Sequence, residues 1–222
     1  MNLAISIGGS VLGELNLKYL KELASVLTEL SSKHRLWVVV GGGEIARKYI
    51  SVGRELGCDE SYLDSIGIDI TRANAKVLLG ALPQAYPEIP ENLDSALTAG
   101  KLYKIVVMGG THPGHTTDAV AATLAERAKA SKLIIMTDVD GVYTADPRKH
   151  KDAKLSLKLS YEKLLEVTSK TSLGAGSKSV IDPIAARIIA RSKIPTFVIN
   201  GRNLKNLENL IGGKAFIGTT IE

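Results

Sequence analysis

The stretch WVVVGGGEIARKYISVGREL, residues 37–56, contains a short apolar strand, a glycine turn and an amphipathic helix in direct succession. Residues 37–40 are apolar without alternation, which is typical of a strand buried on both faces of a sheet. Residues 41–43 are all glycine and end the strand, and the periodicity that follows predicts a helix from about residue 44 to residue 56. A strand, a turn and a helix form the unit from which parallel sheets covered by helices are built.

The same alternation runs along the rest of the chain. The pattern predicts strands at residues 3–7, 37–40, 104–108, 133–136 and 196–199. It predicts helices at residues 17–30, 44–56, 61–82, 118–129, 160–167, 183–192 and 204–211. Short apolar strands separated by amphipathic helices indicate a mostly parallel sheet covered on both faces.

Four of the predicted strands end in glycine or small polar residues, at residues 8–10, 41–43, 109–117 and 137–141. Ligands bind beyond the carboxyl ends of parallel strands, so these turns are expected to line one site. Glycine admits a close approach of a ligand to the backbone, and the start of the helix after residue 117 favours an anion. A phosphate is the expected ligand, and an ordinary capped loop is the alternative that the stretch 108–128 leaves open.

The composition bounds the class of protein and its compartment. A chain of 222 residues with 45% hydrophobic and 23% charged residues is typical of a globular protein, as one large domain or two closely merged lobes. It contains no apolar run long enough to span a bilayer, and its first residues lack the pattern of a secretory signal. No membrane partner is therefore expected. Cys58 is the only cysteine and cannot form an internal disulfide, so a reducing cytoplasm is the expected location.

The net charge of +5 does not by itself indicate a nucleic-acid partner. Residues 147–158 carry five basic side chains against one acidic side chain, so most of the excess lies in one loop. Two phenylalanines and one tryptophan offer little surface for stacking bases. We therefore expect no nucleic-acid partner.

The sequence lacks the motifs of three common classes of nucleotide-binding protein and hydrolase. The sequence has no GxxxxGK[ST] phosphate loop, no GxGxxG after a strand and no GxSxG elbow. His112 and His115 lie without a cysteine or carboxylate pair beside them, so no metal site built by the protein is predicted. Glycine turns that meet at one edge can hold a polyphosphate and a second phosphate opposite it. Phosphoryl transfer then needs in-line positioning and positive charge.

Five ordered blocks resemble the amino acid kinase superfamily, and their combination resembles its uridylate kinase branch in the archaeal form. The blocks are Gly8-Gly9-Ser10, VVVGGGEIARKYI (38–50), MGGTHPGHTTDAVAA (108–122), TDVDGVYTADPR (137–148) and SVIDPIAARIIARS (179–192). The resemblance implies a three-layer α/β sandwich, with residues 1–222 as a single amino acid kinase-like domain that assembles as a homohexamer. It implies that the amino-terminal part binds the acceptor and the carboxyl-terminal part binds ATP. The implied reaction, in pyrimidine nucleotide biosynthesis, converts ATP and UMP to ADP and UDP, with Mg²⁺ bound through the ATP phosphates.

The resemblance also implies the residues of the donor half of the site. Those expected at ATP are Gly9, Ser10, Gly43, Arg47, Thr137, Asp138, Tyr143 and Asp146. Backbone N–H groups of Gly9 and Ser10 would meet the transferring phosphate, and Tyr143 would lie against the adenine. Arg47 lies one helical turn beyond Gly43 and would reach back over the phosphates. The catalytic residues expected from this comparison are Arg47, Lys178 and Ser10.

The acceptor half is implied by a second set of residues. Those expected at UMP are Gly42, Asp64, His112, Pro113, Gly114, His115, Thr116, Thr117 and Asp118. Asp64 would accept hydrogen bonds from the ribose hydroxyls, and Thr116 and Thr117 would offer hydroxyls to the uracil or its phosphate. For Asp118, capping the following helix is an alternative that accounts for the residue equally well.

Two departures from the family pattern keep other functions open. Many superfamily members carry a lysine on the first strand, where this chain has Ser6 and no basic residue before Lys18. That absence motivates a non-catalytic homologue that binds nucleotides or oxyanions. Asp138 stands where uridylate kinases often have asparagine or lysine, and it motivates a kinase for a carboxylate, carbamate or small-phosphate acceptor. Such a pocket would need an arginine pair, with Arg47, Arg54 and Arg72 as its candidates.

Overall fold

One seven-stranded sheet organises the part of the chain that the computed structural model describes, which is residues 1–12, 15–169 and 180–222. The strands are β1 (Asn2–Ile7), β2 (Arg35–Val40), β3 (Ile105–Met108), β4 (Lys132–Thr137), β5 (Lys158–Leu159), β6 (Thr196–Asn200) and β7 (Thr219–Ile221). Their order across the sheet is β3-β2-β1-β4-β6-β7-β5. All neighbours are parallel except β6 and β7, which are antiparallel. The predicted mainly parallel sheet is confirmed.

Helices connect the strands and cover the sheet. They are α1 (Gly9–Leu12), α2 (Leu17–Ser31), α3 (Gly43–Glu55), α4 (Glu60–Leu79), α5 (Leu93–Leu102), α6 (Thr117–Arg127), α7 (Tyr161–Thr168), α8 (Pro183–Ser192) and α9 (Leu204–Ile211). Every predicted helix and strand is present, with ends shifted by three residues or fewer. Within the described part of the chain, no helix is long and apolar enough to cross a membrane.

The sequence pattern missed α1, α5, β5 and β7. Helix α5 faces the core with small residues, Ala96, Ala99 and Gly100, so it lacks the large apolar side chains that make periodicity visible. Glycine is required at position 100, because a Cβ on Gly100 would lie 2.7 Å from the ring of Trp37. The other three elements are too short to show a period.

Two hydrophobic clusters fill the space between the sheet and its helices, one on each face. On β2, Trp37 and Val39 point into the cluster that contains α6 and α8. Leu36, Val38 and Val40 point into the opposite cluster, which contains α2 and α9. Both sets of β2 side chains are therefore buried, which explains why the strand shows no apolar–polar alternation. Helices on both faces of a central sheet confirm the predicted three-layer α/β sandwich.

The register of the sheet brings four strand ends to one level. Ile7, the last residue of β1, pairs with Val40 of β2 and with Met136 of β4. Val39 pairs with Met108, the last residue of β3. The turns after β1, β2, β3 and β4 therefore leave the sheet side by side at its carboxyl edge.

Candidate active site

The turns after these four strands surround one cleft of about 790 Å³. Its volume falls within the range of about 300–1,000 Å³ that is usual for small-molecule sites. Fifteen of the predicted site residues line it: Gly9, Ser10, Gly42, Gly43, Arg47, Asp64, Gly114, His115, Thr116, Thr117, Asp118, Thr137, Asp138, Tyr143 and Asp146. His112 and Pro113 lie on the same loop but are not among the lining residues, and Lys178 lies outside the described residues.

The glycine turns after β1 and β2 touch each other. A Cβ on Gly9 would lie 1.8 Å from the backbone nitrogen of Gly43, and a Cβ on Gly43 would lie 2.5 Å from the carbonyl oxygen of Gly9. Gly43 also has φ +68°, a conformation that residues with a side chain rarely adopt. The contact therefore requires glycine at both positions, and it fixes the distance between the two turns.

Helix α4 holds two of the turns through polar side chains on one face. The buried Asn74 amide donates to the carbonyl oxygens of Gly41 and Gly42, at 2.9 and 3.2 Å. One turn earlier, Thr71 Oγ1 accepts a hydrogen bond of 2.7 Å from the backbone N–H of Gly110. With two carbonyls and one N–H satisfied by α4, the turns after β2 and β3 are fixed relative to each other.

Arg47 is the arginine of α3 that reaches the cleft. It is partly buried, and no acidic side chain among the described residues pairs with it. Arg54, two turns further along α3, instead pairs with Glu60 away from the cleft. A guanidinium that lines a cleft without a carboxylate partner is available to an anionic ligand.

The loop after β3, residues 109–117, is tied to α4 at two points besides the bond between Gly110 and Thr71. The backbone N–H of Gly114, which has φ +82°, donates to Asp64 Oδ2 over 2.8 Å. Arg72 donates to the carbonyl oxygens of Gly110 and Thr111, at 3.3 and 3.5 Å. Asp64 therefore shapes the loop, and its other oxygen has no partner within the described ranges. Arg72 is occupied by backbone carbonyls and does not line the cleft.

The two threonines that end this loop differ in what their hydroxyls do. Thr116 caps α6, since its Oγ1 accepts a hydrogen bond of 3.1 Å from the backbone N–H of Ala119. The same hydroxyl donates its proton to Asp182 Oδ2. Thr117 lines the cleft, and its hydroxyl has no partner in the described part of the chain. Of the two, Thr117 is the one whose hydroxyl proton is available to a ligand.

Asp118 lies in the first turn of α6 and contacts the central strand. Its Oδ1 accepts a hydrogen bond of 2.6 Å from the hydroxyl of the fully buried Ser6. Burial raises the pKa of Asp118 from 3.8 to about 6; the bond from Ser6 opposes this rise, and the nearby Asp182 carboxylate adds to it. Ser6 thus ties the central strand β1 to the first turn of α6.

Replacing Asp118 by asparagine should stabilise the protein at neutral pH. The raised pKa means that the folded state holds this proton more tightly than the unfolded state, so Asp118 lowers stability as the pH rises from about 4 to about 6. Asparagine keeps an oxygen for Ser6 and removes the buried charge. Thermal unfolding should show a gain of roughly 2 kcal/mol at pH 7.5 and little difference at pH 4.

Asp146 provides the matched control for this pH dependence. The backbone N–H and the guanidinium of Arg148 lower the pKa of Asp146. Asp146→Asn should therefore lose stability relative to the parent protein as the pH rises through the acidic range to about 4, with little further change above it, which is the opposite sign. A gain for Asp118→Asn that is equally large at pH 4 would contradict the assigned cause.

Three charged side chains close the far end of the cleft, after β4. Arg148 pairs with Asp138 at 3.0 Å and with Asp146 at 3.1 Å. Tyr143 is half-buried beside them and lines the cleft, and burial raises the pKa of its hydroxyl. The charge of Asp138 is thus compensated within the same loop, so it is not left for an acceptor.

The donor set of the cleft fits a cation that arrives on phosphate groups. Within the described ranges, no group of three or more histidine, cysteine, aspartate or glutamate side chains can hold a metal ion. Asp118 contributes to the cleft wall a carboxylate that is hydrogen-bonded to Ser6 through Oδ1. Mg²⁺ commonly binds through one or two carboxylates together with substrate phosphates and water, and the cleft can supply that number.

Sequence reasoning missed four side chains that build this site: Ser6, Thr71, Asn74 and Asp182. The sequence does identify Asp182 as a helix cap, because an aspartate followed by proline is a common start of a helix. A capping role alone does not predict that the residue lines a cleft. Thr71 and Asn74 are polar residues three apart within a helix, which matches a shared face. Their partners are backbone atoms of distant turns, which the sequence does not identify.

Comparison with known proteins gives one consistent result. The family model described as "Amino acid kinase family" matches residues 1–200. The chain is 46% identical to the uridylate kinase of Pyrococcus abyssi over 225 residues, covering all of both chains. It is 47% identical to the uridylate kinase of Methanothrix thermoacetophila over 214 residues, covering 96% of each. The crystal structure of uridylate kinase from Archaeoglobus fulgidus superposes with a TM-score of 0.91 at 44% identity, covering all of both chains.

Proposed function

The chain belongs to the amino acid kinase family, and on this premise we propose that its cleft transfers the γ-phosphoryl group of ATP to UMP, giving ADP and UDP. The observation that carries this proposal is the contact between the Gly9 and Gly43 turns. The contact brings the backbone of two strand ends together in the cleft lining, and we place the transferring phosphoryl group at the N–H groups of these turns. A phosphoryl group in transit between two nucleotides needs such a point.

The acceptor and the donor approach this point from opposite sides. We place UMP against the loop 109–117, with Asp64 at its ribose and Thr117 and Gly42 at its phosphate. We place ATP along the turn after β4, with Tyr143 at the adenine and Asp146 at the ribose. The amino-terminal part of the chain then supplies the acceptor side and the carboxyl-terminal part the donor side.

In the reaction, an oxygen of the UMP phosphate attacks the γ-phosphorus of ATP, and the bond from that phosphorus to the β–γ bridging oxygen breaks. The substrate is ATP carrying Mg²⁺, which neutralises charge on the phosphates when bound. Arg47 supplies positive charge from α3, in the absence of a first-strand lysine. Backbone N–H groups of Gly9 and Ser10 orient the transferring group without having to reorganise.

The alternative acceptors find less support in the cleft. A carboxylate acceptor calls for an arginine pair, and of Arg47, Arg54 and Arg72 only Arg47 lines the cleft. Asp138, which motivated that alternative, is paired with Arg148. The test is to incubate the protein with ATP and Mg²⁺ and with UMP, CMP, AMP, GMP, carbamate or acetylglutamate, and to measure ADP. UMP should react fastest, and a faster rate with any other acceptor would overturn the assignment. A lack of ADP with every acceptor would favour the non-catalytic homologue.

We further propose that the chain assembles as a homohexamer, and an exposed apolar stripe supports self-association. Ile45, Tyr49, Val52 and Leu56 recur every three or four residues along one side of α3 and its end, and the exposed fraction of Leu56 reaches 79%. An apolar row of this spacing can pack against the same row of a second copy. The expected cytoplasmic location and the role in pyrimidine nucleotide synthesis follow from the proposed reaction.

A charge in this stripe should break the assembly. Leu56→Asp places a carboxylate in the proposed contact, where an unpaired buried charge is unfavourable. Sedimentation should show a smaller particle for this variant than for the parent protein. Leu102→Asp is the matched control, because Leu102 is 82% exposed on α5 and lies outside the stripe. If both variants sediment like the parent protein, the stripe is not the interface.

A further inference from the structure

The caps of two neighbouring helices at the cleft, α6 and α8, are hydrogen-bonded to each other. Asp182 caps α8, since its Oδ1 accepts from the backbone N–H groups of Ile184 and Ala185 at 2.8 and 3.0 Å. Thr116 caps α6 by accepting from Ala119 at 3.1 Å. The Thr116 hydroxyl donates to Asp182 Oδ2, which joins the two caps directly.

Capping α8 does not require this second bond. One oxygen of Asp182 serves both N–H groups of α8, and the other reaches a residue 66 positions away along the chain. Asp182 is only 6% exposed, and a buried carboxylate is costly unless its oxygens are hydrogen-bonded. The Thr116 hydroxyl therefore satisfies a buried charge, and the bond resists any movement of the loop end away from α8.

We propose that Asp182 is a positioning residue for the phosphate acceptor. It accepts the hydrogen bond that the Thr116 hydroxyl donates, and so fixes the end of the loop 109–117. The next residue, Thr117, then presents its hydroxyl to the cleft in one orientation. This inference deepens the proposed function and rests on it, since the acceptor placed at Thr117 is UMP.

The test separates the bond between the caps from the caps themselves. Asp182→Ser keeps one oxygen to cap Ile184 and Ala185 and leaves the Thr116 cap intact, but it removes the second oxygen, which accepts the hydrogen bond from Thr116. Thr116→Val removes the hydroxyl at nearly constant shape, and with it both the bond to Asp182 and the α6 cap; Thr116→Ser restores both. Both disruptive variants should raise KM for UMP about tenfold, as expected for a hydrogen bond to a buried charge, and leave KM for ATP within about twofold. Thr116→Ser should keep a KM for UMP close to that of the parent protein.

Two further comparisons exclude a purely structural role. Asp182→Ser combined with Thr116→Val should be no worse than Thr116→Val alone, because Thr116→Val already removes the bond that Asp182→Ser removes. Asp59→Asn alters the exposed cap of α4, which is outside the cleft, and should change neither KM. Amide hydrogen exchange in residues 109–117 should be faster in both disruptive variants and unchanged in Asp59→Asn.

The outcomes distinguish this inference from the proposed function. If the parent protein does not phosphorylate UMP, the proposed function fails, and the exchange rates alone decide whether Asp182 anchors the loop. If the parent protein is active but both variants keep its KM for UMP, or if their effects add in the double variant, the positioning role is wrong. Unchanged exchange in the loop of both variants also overturns it.

Discussion

Replacing Gly9 by alanine should lower kcat/KM for UMP phosphorylation by about 10³-fold, the largest effect expected from any single methyl group in this chain. The new Cβ would lie 1.8 Å from the backbone nitrogen of Gly43 and 2.7 Å from the carbonyl carbon of Gly42. Both neighbours are backbone atoms and cannot move aside as a flexible side chain would. The two turns must separate, and their N–H groups then lose the alignment that the transferring phosphoryl group needs.

Steady-state kinetics on protein shown to be folded by circular dichroism measures this loss. Gly80→Ala is the matched control, because Gly80 ends α4 with helical dihedral angles and a Cβ there would come no closer than 3.4 Å to any atom. It should leave kcat/KM within about twofold. An active Gly9→Ala enzyme would show that the two turns need not touch during the reaction.

Replacing Arg47 by alanine should lower kcat/KM by about 10²–10³-fold, the usual scale for one charged contact to the transition state. Arg47 lines the cleft one helical turn into α3 and has no acidic partner among the described residues. The loss should fall mainly on kcat, because charge on the transferring group is greatest in the transition state. Arg47→Lys should recover part of the rate, since lysine keeps the positive charge but lacks the planar guanidinium group that can donate two parallel hydrogen bonds.

Arg54→Ala is the control for this experiment. Arg54 lies on the same helix, but its ion pair with Glu60 is exposed and outside the cleft, where such pairs contribute about 0–1 kcal/mol. It should change kcat/KM by no more than about twofold. A rate for Arg47→Ala close to that of the parent protein would remove Arg47 from the mechanism, and an equal loss in Arg54→Ala would show that the effect is general to α3.

The sequence alone was sufficient to predict the sheet and the edge at which the cleft lies. Apolar strands that end in glycine, as at Val40 and Met108, encode both burial on two faces and a turn with room for a ligand. Because parallel strands all point the same way, their ends meet without any further information. That general rule placed residues from four distant blocks in one cleft.

Pairings between side chains could not be predicted in the same way. Asp138 looked unusual in the sequence, and only the fold shows that Arg148, ten residues later, neutralises it. Thr116 and Thr117 are neighbours of the same type, yet only the Thr116 hydroxyl donates a hydrogen bond to Asp182. Such differences depend on which distant group arrives within hydrogen-bonding distance, and periodicity carries no information about that.

The position of β1 between β2 and β4 has a consequence for how the protein is made. While the ribosome is still translating the second half, β1, β2 and β3 can already pair with one another, since all three belong to the first half. The side of the cleft that is formed by Thr137 and the residues after it cannot form until β4 has left the ribosome and paired with β1. A nascent chain therefore has no complete ATP-binding site before β4 is in place. We expect phosphoryl transfer to begin only after the residues that follow β4 have been synthesised.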